Sequence, residues 1–303
     1  MSSHDVPRKI AIREVGPRDG LQPEAPVPVT ARVELVRQLV DTGVATIEVG
    51  AFVSPKAVPA MAGSGEVVAA VGEAGLGERA TLVALVPNRR GAELALAAGV
   101  RALTVTISAS EAYSQRNVRM SVDESLTQLA AVRDVAGDDL PVDTVVSCAF
   151  GSPYEGDLDP REVAALGSRA REAGSTSLTY ADTTGVATPR RIADLLAETG
   201  TDMGLHLHDT RGTALVNAYA ALQAGVTRFD TAVGGLGGSP FAAGAGGNLA
   251  TEDLVHLCDD LGVTTGIDLE ALLAVSARVA EAVGHAVPSR IAAAGPRHRL
   301  SPG

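Results

Sequence analysis

Two histidines, His206 and His208, have the spacing that most directly suggests chemistry. Side chains at positions i and i+2 of a β-strand point to the same face, so a strand here would project both imidazoles together. Imidazoles that share a space with carboxylates from other strands are typical of divalent metal sites. A pair of hydrogen-bonded structural histidines is the alternative. The metal site is favoured because Asp19 and Asn248 are available from flanking segments.

This donor set suits a hard cation. Two nitrogen and two oxygen ligands without a thiolate suit Mg²⁺ or Mn²⁺, if substrate oxygens complete an octahedron, and Zn²⁺ fits the ligand types as well. Arg18, next to Asp19, would place a permanent positive charge beside the metal, where it can stabilise an enolate or carboxylate oxygen. A salt bridge from Arg18 to Glu14 or Glu48 is compatible with that role, because a buried carboxylate can orient a catalytic arginine.

Strand-like and helix-like segments alternate along the chain and would position these side chains. Eight apolar runs have strand character: 10–15, 45–50, 80–86, 102–108, 141–150, 177–182, 202–209 and 228–234. Helical patterns lie between them, at 30–42, 89–98, 122–135, 160–173, 189–199 and 213–224. This alternation predicts one α/β domain with the fold of a (β/α)₈ TIM barrel. A doubly wound sheet is disfavoured because Gly16–Gly20, after the first strand, is not a phosphate-binding fingerprint.

The barrel is expected over about residues 10–262 of a single domain, with an additional C-terminal helix over about 268–284 and a tail over 288–303 that could lack order. In such a barrel the catalytic groups lie at the C-terminal ends of the strands. Besides the residues above, this rule selects Asp182 at the end of the sixth strand. The glycine-rich stretch 234–247 lacks the lysine of a P-loop and is interpreted as a loop that closes over substrate, with a plain surface loop as the alternative.

The composition restricts the classes of function. Of the 303 residues, 46% are hydrophobic and none is Trp, so the core must consist of Ala, Val, Leu and Ile. A net charge of −11 argues against binding to nucleic acid. No apolar run or N-terminal signal suggests a membrane. The two cysteines form neither a disulfide framework nor a CxxC metal site, which favours a location in the reducing cytoplasm. A homodimer is compatible with the sequence, although no apolar stripe requires one.

Five segments in order resemble motifs of the 3-hydroxy-3-methylglutaryl-CoA lyase family. They are Val15–Gln22, Phe52–Pro59, Ala181–Pro189, His206–Gly212 and Gly247–Asp253. The resemblance covers about residues 10–260 and implies a metal-dependent TIM-barrel lyase. The same superfamily contains isopropylmalate and homocitrate synthases. These synthases are usually longer, so a lyase is expected here.

The resemblance also implies roles for individual residues. Asp19, His206, His208 and Asn248 would be the metal ligands, and Arg18 would stabilise the enolate. The implied substrate is an acyl-CoA with a tertiary hydroxyl, and the implied reaction is a retro-Claisen-type cleavage. The metal would bind that hydroxyl and a carboxylate oxygen, and His206 or Asp19 would accept the proton. The products would be acetoacetate and the enolate of acetyl-CoA.

Four further residues receive roles by the same resemblance. Glu48 and Asp182 would support the site, Glu14 would position Arg18, and Asn117 would contact the substrate. The resemblance therefore extends the site beyond the metal ligands to both the substrate pocket and the groups that orient Arg18.

The sequence departs from the family at two positions. Ser239 replaces a loop cysteine thought to protonate the enolate, and a serine hydroxyl is a far weaker acid than a thiol. Ala51 stands where family members have a hydroxyl residue. Cys148, on the predicted fifth strand, and Cys258, on the predicted eighth helix, are interpreted as small buried residues rather than replacements.

These departures keep several functions open. The first is 3-hydroxy-3-methylglutaryl-CoA cleavage by a slow or serine-adapted enzyme. The second is a lyase or aldolase acting on a related hydroxy acid or hydroxyacyl-CoA. The third is a non-catalytic metal-binding relative, which the intact polar cluster argues against.

Overall fold

The computed structural model describes residues 6–238 and 246–299, and its centre is a closed barrel of eight parallel strands. The strands are β1 (Ala11–Glu14), β2 (Thr46–Ala51), β3 (Thr81–Leu85), β4 (Ala102–Ser108), β5 (Val142–Ser147), β6 (Ser177–Ala181), β7 (Gly204–His206) and β8 (Arg228–Thr231). Each strand pairs with the next, and β8 pairs with β1, placing Ala11 opposite Arg228. The predicted (β/α)₈ barrel is confirmed.

Helices cover the outside of the barrel. They are α1 (Val29–Asp41), α2 (Ser64–Glu73), α3 (Arg89–Ala98), α4 (Glu111–Asn117), α5 (Val122–Ala136), α6 (Pro160–Glu172), α7 (Pro189–Thr199), α8 (Ala214–Ala224), α9 (Thr251–Leu261), α10 (Leu269–Val283) and α11 (Arg290–Ala294). Their buried faces pack on the strands through Val, Leu, Ile and Ala side chains, as the composition required. Within the two described ranges, no helix is both long and apolar enough to cross a bilayer.

The structure differs from the predicted elements in several places. The sequence analysis did not predict α2, because Gly65 and Gly72 and its β-branched valines have low helix propensity. Strand β5 ends at Ser147, so Cys148 follows the strand instead of lying on it, with a left-handed φ of 57°. Strand β7 ends at His206, which leaves His208 just beyond it.

The C-terminal segment is more ordered than expected over the part that is described. The structure has α10 where an additional helix was expected, and α11 then forms in the predicted tail. The reason is an N-cap residue that is itself held by a buried carboxylate. The hydroxyl of Ser289 accepts from Ala292 N and donates to the buried carboxylate of Asp253 at 2.7 Å.

A short π-helical turn over Gly16–Gly20 connects β1 to the barrel mouth and carries Arg18 and Asp19. Its first residue must be glycine, because a Cβ on Gly16 would lie 2.5 Å from the Oε1 atom of Glu14. That oxygen instead accepts from Gly16 N at 2.7 Å. The turn is thus fixed to the end of β1, and it presents two charged side chains to the mouth.

Candidate active site

Four side chains that the sequence selected as metal ligands meet at the carboxyl end of the barrel. Single ligand atoms of Asp19, His206 and His208 all lie within 4.8 Å of one another. The Nε2 atoms of the two histidines are 3.1 Å apart, and His206 Nε2 is 3.8 Å from Asp19 Oδ2. Asn248 joins them by donating from Nδ2 to Asp19 Oδ2 at 2.8 Å. The expected projection of both imidazoles into one space is confirmed.

The two histidine rings are oriented by bonds at their other nitrogens. His206 Nδ1 lies 3.2 Å from Asp230 Oδ2, and His208 Nδ1 lies 3.1 Å from the carbonyl oxygen of Gly246. These oxygens can only accept, so both Nδ1 atoms must carry the proton. In neutral rings the two Nε2 lone pairs then face each other, an arrangement that a shared cation stabilises.

Asn248 supplies a second observation that fits a cation. Its Nδ2 atom donates to Asp19 and to the carbonyl oxygen of Leu236, both at 2.8 Å, which fixes the orientation of the amide. Its Oδ1 atom is buried and has no hydrogen-bond partner among the described residues. A buried acceptor without a partner is costly, so Oδ1 has the environment of an atom that serves as a ligand to a cation.

Arg18 lies beside this cluster and is held by two carboxylates. Its Nε atom donates to Glu48 Oε2 at 2.5 Å, and its Nη1 atom donates to Asp19 Oδ1. The Arg18 and Glu48 side chains are 9% and 1% exposed, so the pair lies in a low-dielectric environment. Among the described residues, Nη2 makes no hydrogen bond, and Arg18 lines the cavity, so this end of the guanidinium can donate to a ligand oxygen.

Glu14 and Asp182 are placed differently from the candidate metal ligands. Glu14 has no hydrogen bond to Arg18 among the described contacts and instead accepts from Gly16 N, Val233 N and Thr251 Oγ1. Of the two salt bridges considered for Arg18, the structure has the one to Glu48, while Glu14 holds the backbone at the start of the π-helical turn. Asp182 accepts from the backbone N–H groups of Val186 and Ala187 and does not bond to the cluster.

A cavity of about 280 Å³ opens over the cluster. Arg18, Asp19, His206 and His208 form its charged side, and Asn117, at the end of α4, lies on its wall. The cavity is also lined by apolar side chains from β3 to β6 and from the loops that follow β2 and α4, and by polar ones: the apolar ones include Val53, Val58, Leu85, Val105, Val118, Val145 and Ala181, and the polar ones Gln22, Thr106, Gln128, Ser147 and Thr183. A ligand here would meet charged, polar and apolar groups. Ser239 falls outside the described residues.

The side chains of the cluster differ in the direction in which their pKa values are shifted. Burial alone would raise the pKa of Asp19, but Arg18 and the two histidines lower it to about 2. Burial also lowers the pKa of His208, to about 4, with His206 adding to the shift. For His206 the hydrogen bond to Asp230 and the charge of Asp19 outweigh burial and raise its pKa. The cluster thus combines a carboxylate, a neutral imidazole and a more basic imidazole.

Sequence analysis missed the groups that orient His206. Asp230 on β8 contacts its ring, and Arg13 on β1 donates to both oxygens of Asp230. One available signal was a residue of opposite charge on each of two predicted strands, Arg13 and Asp230, since a charge in a barrel interior requires a partner.

The molecule is a (β/α)₈ barrel with a candidate metal centre, because two imidazoles, a carboxylate and a guanidinium lie together at the barrel mouth. Residues 9–279 match the family model described as HMGL-like. The chain belongs to the HMGL-like family, as its motifs suggested.

Two curated relatives extend this comparison over nearly the whole chain. The 3-hydroxy-3-isohexenylglutaryl-CoA/hydroxy-methylglutaryl-CoA lyase of Pseudomonas aeruginosa is 42% identical over 299 residues, which are 96% of this chain and 98% of that protein. The (R)-citramalyl-CoA lyase of Chloroflexus aurantiacus is 42% identical over 303 residues, 95% of each chain. These relatives are carbon–carbon lyases, and the chain is an enzyme of that type.

A solved structure agrees with the fold in detail. The HMG-CoA lyase from Acinetobacter baumannii, in complex with coenzyme A and 3-methylmalate, superimposes with a TM-score of 0.91 at 38% identity. The match covers 98% of both chains. The barrel and its mouth therefore correspond to those of a lyase over essentially their full length.

Proposed function

We propose that the protein is a divalent-metal-dependent lyase that cleaves 3-hydroxy-3-methylglutaryl-CoA to acetyl-CoA and acetoacetate. The observation that carries this proposal is the convergence of Asp19, His206, His208 and Asn248 beside Arg18 in one cavity. The relatives that act on CoA thioesters support the substrate class, as does the A. baumannii lyase complex with coenzyme A.

The four clustered residues would hold the cation. Mg²⁺ or Mn²⁺ suits their two imidazole nitrogens and two side-chain oxygens, when substrate oxygens fill the remaining positions. When bound, such a cation supplies Lewis acidity that lowers the pKa of a substrate hydroxyl. The chain contributes the orientation of each donor, because every ligand side chain is held by a hydrogen bond at another of its atoms.

Arg18 would stabilise the negative charge that develops during cleavage. When the C2–C3 bond breaks, its electron pair moves into the thioester carbonyl and forms the enolate of acetyl-CoA. Glu48 and Asp19 hold the guanidinium through Nε and Nη1, so Nη2 is the atom that can donate to the enolate oxygen. A donor fixed before the reaction stabilises the charge without reorganisation.

The hydroxyl proton needs an acceptor in the cluster, either His206 or Asp19. The pKa of Asp19 is lowered to about 2, whereas that of His206 is raised, so His206 is the stronger base. Asp230 engages Nδ1 of His206, so Nε2 has the only lone pair of the ring, and either the cation or a proton can use it. His206 can therefore accept the proton only while Nε2 does not bind the cation; when His206 is a ligand, the acceptor is Asp19, whose carboxylate offers further lone pairs.

Carbon protonation of the enolate completes the reaction. Ser239 stands at the position of the family's loop cysteine, and its hydroxyl is a weaker acid than a thiol. The two cysteines do not offer a substitute, because burial raises the pKa of each, Cys148 and Cys258, to about 12. Protonation is therefore the step we expect to be slow in this enzyme.

A related hydroxyacyl-CoA is the second candidate substrate. The chain is as similar to the (R)-citramalyl-CoA lyase as to the P. aeruginosa lyase, at 42% identity to each. The apolar side chains that line the cavity could contact the alkyl substituent of either substrate. The two substrates must therefore be compared directly.

The decisive experiment is an acetyl-CoA release assay on metal-stripped protein with added Mg²⁺ or Mn²⁺. We expect metal-dependent cleavage of 3-hydroxy-3-methylglutaryl-CoA that is lost in His206→Ala. His298→Ala, whose ring is 67% exposed, should retain it. Ser239→Cys should be at least as active as the native enzyme. If native and Ser239→Cys proteins bind metal but cleave only citramalyl-CoA, or neither substrate, the assignment of 3-hydroxy-3-methylglutaryl-CoA is wrong.

A further inference from the structure

Asp230 links a candidate metal ligand to an arginine inside the barrel. Its side chain is 6% exposed and lies between the ring of His206 and the guanidinium of Arg13. Arg13 donates from Nε to Oδ1 at 2.8 Å and from Nη2 to Oδ2 at 2.6 Å. Oδ2 is also the atom that lies 3.2 Å from His206 Nδ1. Asp230 is thus held at both oxygens while it contacts the ring.

Arg13 is fixed in turn from the other side of the barrel. Its Nη1 atom donates to Asp143 Oδ2 at 2.9 Å. Asp143 on β5 also accepts from the hydroxyls of Ser177, at 2.5 Å, and Thr179, at 2.9 Å. The network therefore crosses the barrel interior below the cluster and ends at His206.

A purely structural role would account for only part of this arrangement. A bidentate ion pair with Arg13 is enough to satisfy Asp230, and the pair needs no contact with a histidine. Burying these charges in the barrel costs free energy that a set of apolar side chains would avoid. The additional contact, from Asp230 Oδ2, is to Nδ1 of His206, the ring nitrogen that points away from the cluster. A group that determines which nitrogen of the ring carries the proton has to lie at this position.

We propose that Asp230 is a positioning residue for His206 and that Arg13 holds Asp230 in place for this task. Asp230 accepts the Nδ1 proton, which fixes the plane of the ring and leaves the Nε2 lone pair directed at the cation position. The inference rests on the proposed function, because it assumes that His206 is a metal ligand. His208 is oriented differently, by the backbone carbonyl of Gly246, so substitution of Asp230 affects only one of the two rings.

The test compares two isosteric substitutions in the same network. Asp230→Asn removes the charged acceptor that contacts His206, and Asp143→Asn removes the equivalent charge on the far side of Arg13 without touching the ring. The dissociation constant for Mn²⁺ is measured by calorimetry or electron paramagnetic resonance. Loss of an oriented partner of a ligating histidine weakens metal binding by roughly 10- to 100-fold, which we expect for Asp230→Asn. Asp143→Asn should stay close to native.

Ring ¹⁵N spectra of histidine-labelled protein provide a second measurement. In the native and Asp143→Asn proteins, His206 should be protonated at Nδ1. In Asp230→Asn this preference should weaken, while His208 keeps its tautomer and serves as an internal reference. Thermal unfolding of both variants separates this effect from a general loss of structure. Native protein with the His206 proton on Nε2 would overturn the proposal even if Asp230→Asn does not fold.

The outcomes separate this inference from the proposed function. Native protein that binds no Mn²⁺ contradicts the metal-dependent lyase, while the ring spectra of the metal-free protein, at a pH where both rings are neutral, still test the tautomer. If the native protein binds Mn²⁺ and Asp230→Asn matches Asp143→Asn in both affinity and spectrum, the positioning role of Asp230 is wrong while the proposed function stands.

Discussion

Asn248 and Asp19 come from segments 229 residues apart in the chain and share a hydrogen bond of 2.8 Å from Nδ2 to Oδ2. The bond determines which end of the amide faces the cluster, and it leaves the buried Oδ1 atom without a hydrogen-bond partner among the described residues. A loop that follows the last strand is thereby connected to the turn that follows the first. Closing the barrel brings the two residues together.

Substitution Asn248→Ala should weaken Mn²⁺ binding at least about tenfold, because it removes one oxygen donor and releases the Asp19 carboxylate. Equilibrium titration with Mn²⁺ measures the effect. Asn217→Ala is the matched control, since Asn217 is also a buried asparagine whose Oδ1 has no hydrogen-bond partner within the described ranges, but it lies on α8 and its Nδ2 donates to Ala187 O. It should cost about 1–3 kcal/mol of stability and leave the affinity unchanged. Equal affinities in the two variants would exclude Asn248 from the site.

Substitution Arg18→Lys should lower kcat by roughly 10²- to 10³-fold with little change in Mn²⁺ affinity. A lysine keeps the charge but cannot bond to Glu48 and Asp19 in a fixed fork while directing a third N–H at the substrate. Steady-state kinetics with saturating metal measures kcat and KM separately. Arg37→Lys, at an exposed ion pair of α1, is the control and should behave as native. A fully active Arg18→Lys enzyme would show that charge alone is sufficient.

Two buried carboxyl groups should make stability depend on pH. Burial raises the pKa of Glu14 to about 7 and that of Glu252 to about 8, so both are neutral in the fold at pH 5. In the unfolded chain a glutamate ionises near its ordinary pKa of about 4.3. Because each pKa is higher in the fold than in the unfolded chain, the contribution of these groups to the free energy of unfolding is fully present below about pH 4.3. This contribution is lost as the pH rises through the folded pKa values of about 7 and 8.

Glu252→Gln should accordingly reduce the loss of stability between pH 5 and 8 by at least about 1 kcal/mol, given about 1.4 kcal/mol for each unit of pKa shift. Glutamine keeps an oxygen that can accept from Gly234 N, as Glu252 does at 2.8 Å. Urea unfolding in the presence of a chelator gives the free energy at each pH. Glu281→Gln, on an exposed part of α10, should leave the dependence unchanged. Identical curves for Glu252→Gln and native protein would mean that Glu252 is ionised throughout.

The barrel and the clustering of the candidate metal ligands could be predicted because their signals are local in sequence. The i, i+2 spacing predicted that His206 and His208 project together, which they do although β7 ends at His206, and the eight apolar runs predicted the architecture. The α2 helix was missed because tertiary packing stabilises it against the low helix propensity of glycine and valine. Local patterns therefore predicted the elements that carry their own periodicity.

The partners of buried charges could not be predicted from local patterns. Arg13 and Asp230 are 217 residues apart, and Glu14 and Thr251 are 237 residues apart. A sequence shows that such a charge needs a partner, but several partners of suitable charge exist, and only the closure of the barrel selects one. This explains why the sequence analysis left both Glu14 and Glu48 open as salt-bridge partners of Arg18, of which Glu48 is the one that bonds to it.

Gly237 and Gly99 have nearly the same backbone conformation, with φ of 109° and 105°, but different surroundings. A Cβ on Gly237 would lie 2.3 Å from Asn248 Nδ2 and 3.1 Å from Asp19 O, whereas one on Gly99 would have no heavy atom within 4 Å. Both alanine variants should lose about 1–2 kcal/mol of stability through the left-handed conformation. Only Gly237→Ala should also weaken Mn²⁺ binding, because it displaces the Asn248 amide from Asp19. Denaturant unfolding and Mn²⁺ titration measure the two effects separately, and equal affinities in both variants would show that this hydrogen bond does not organise the site.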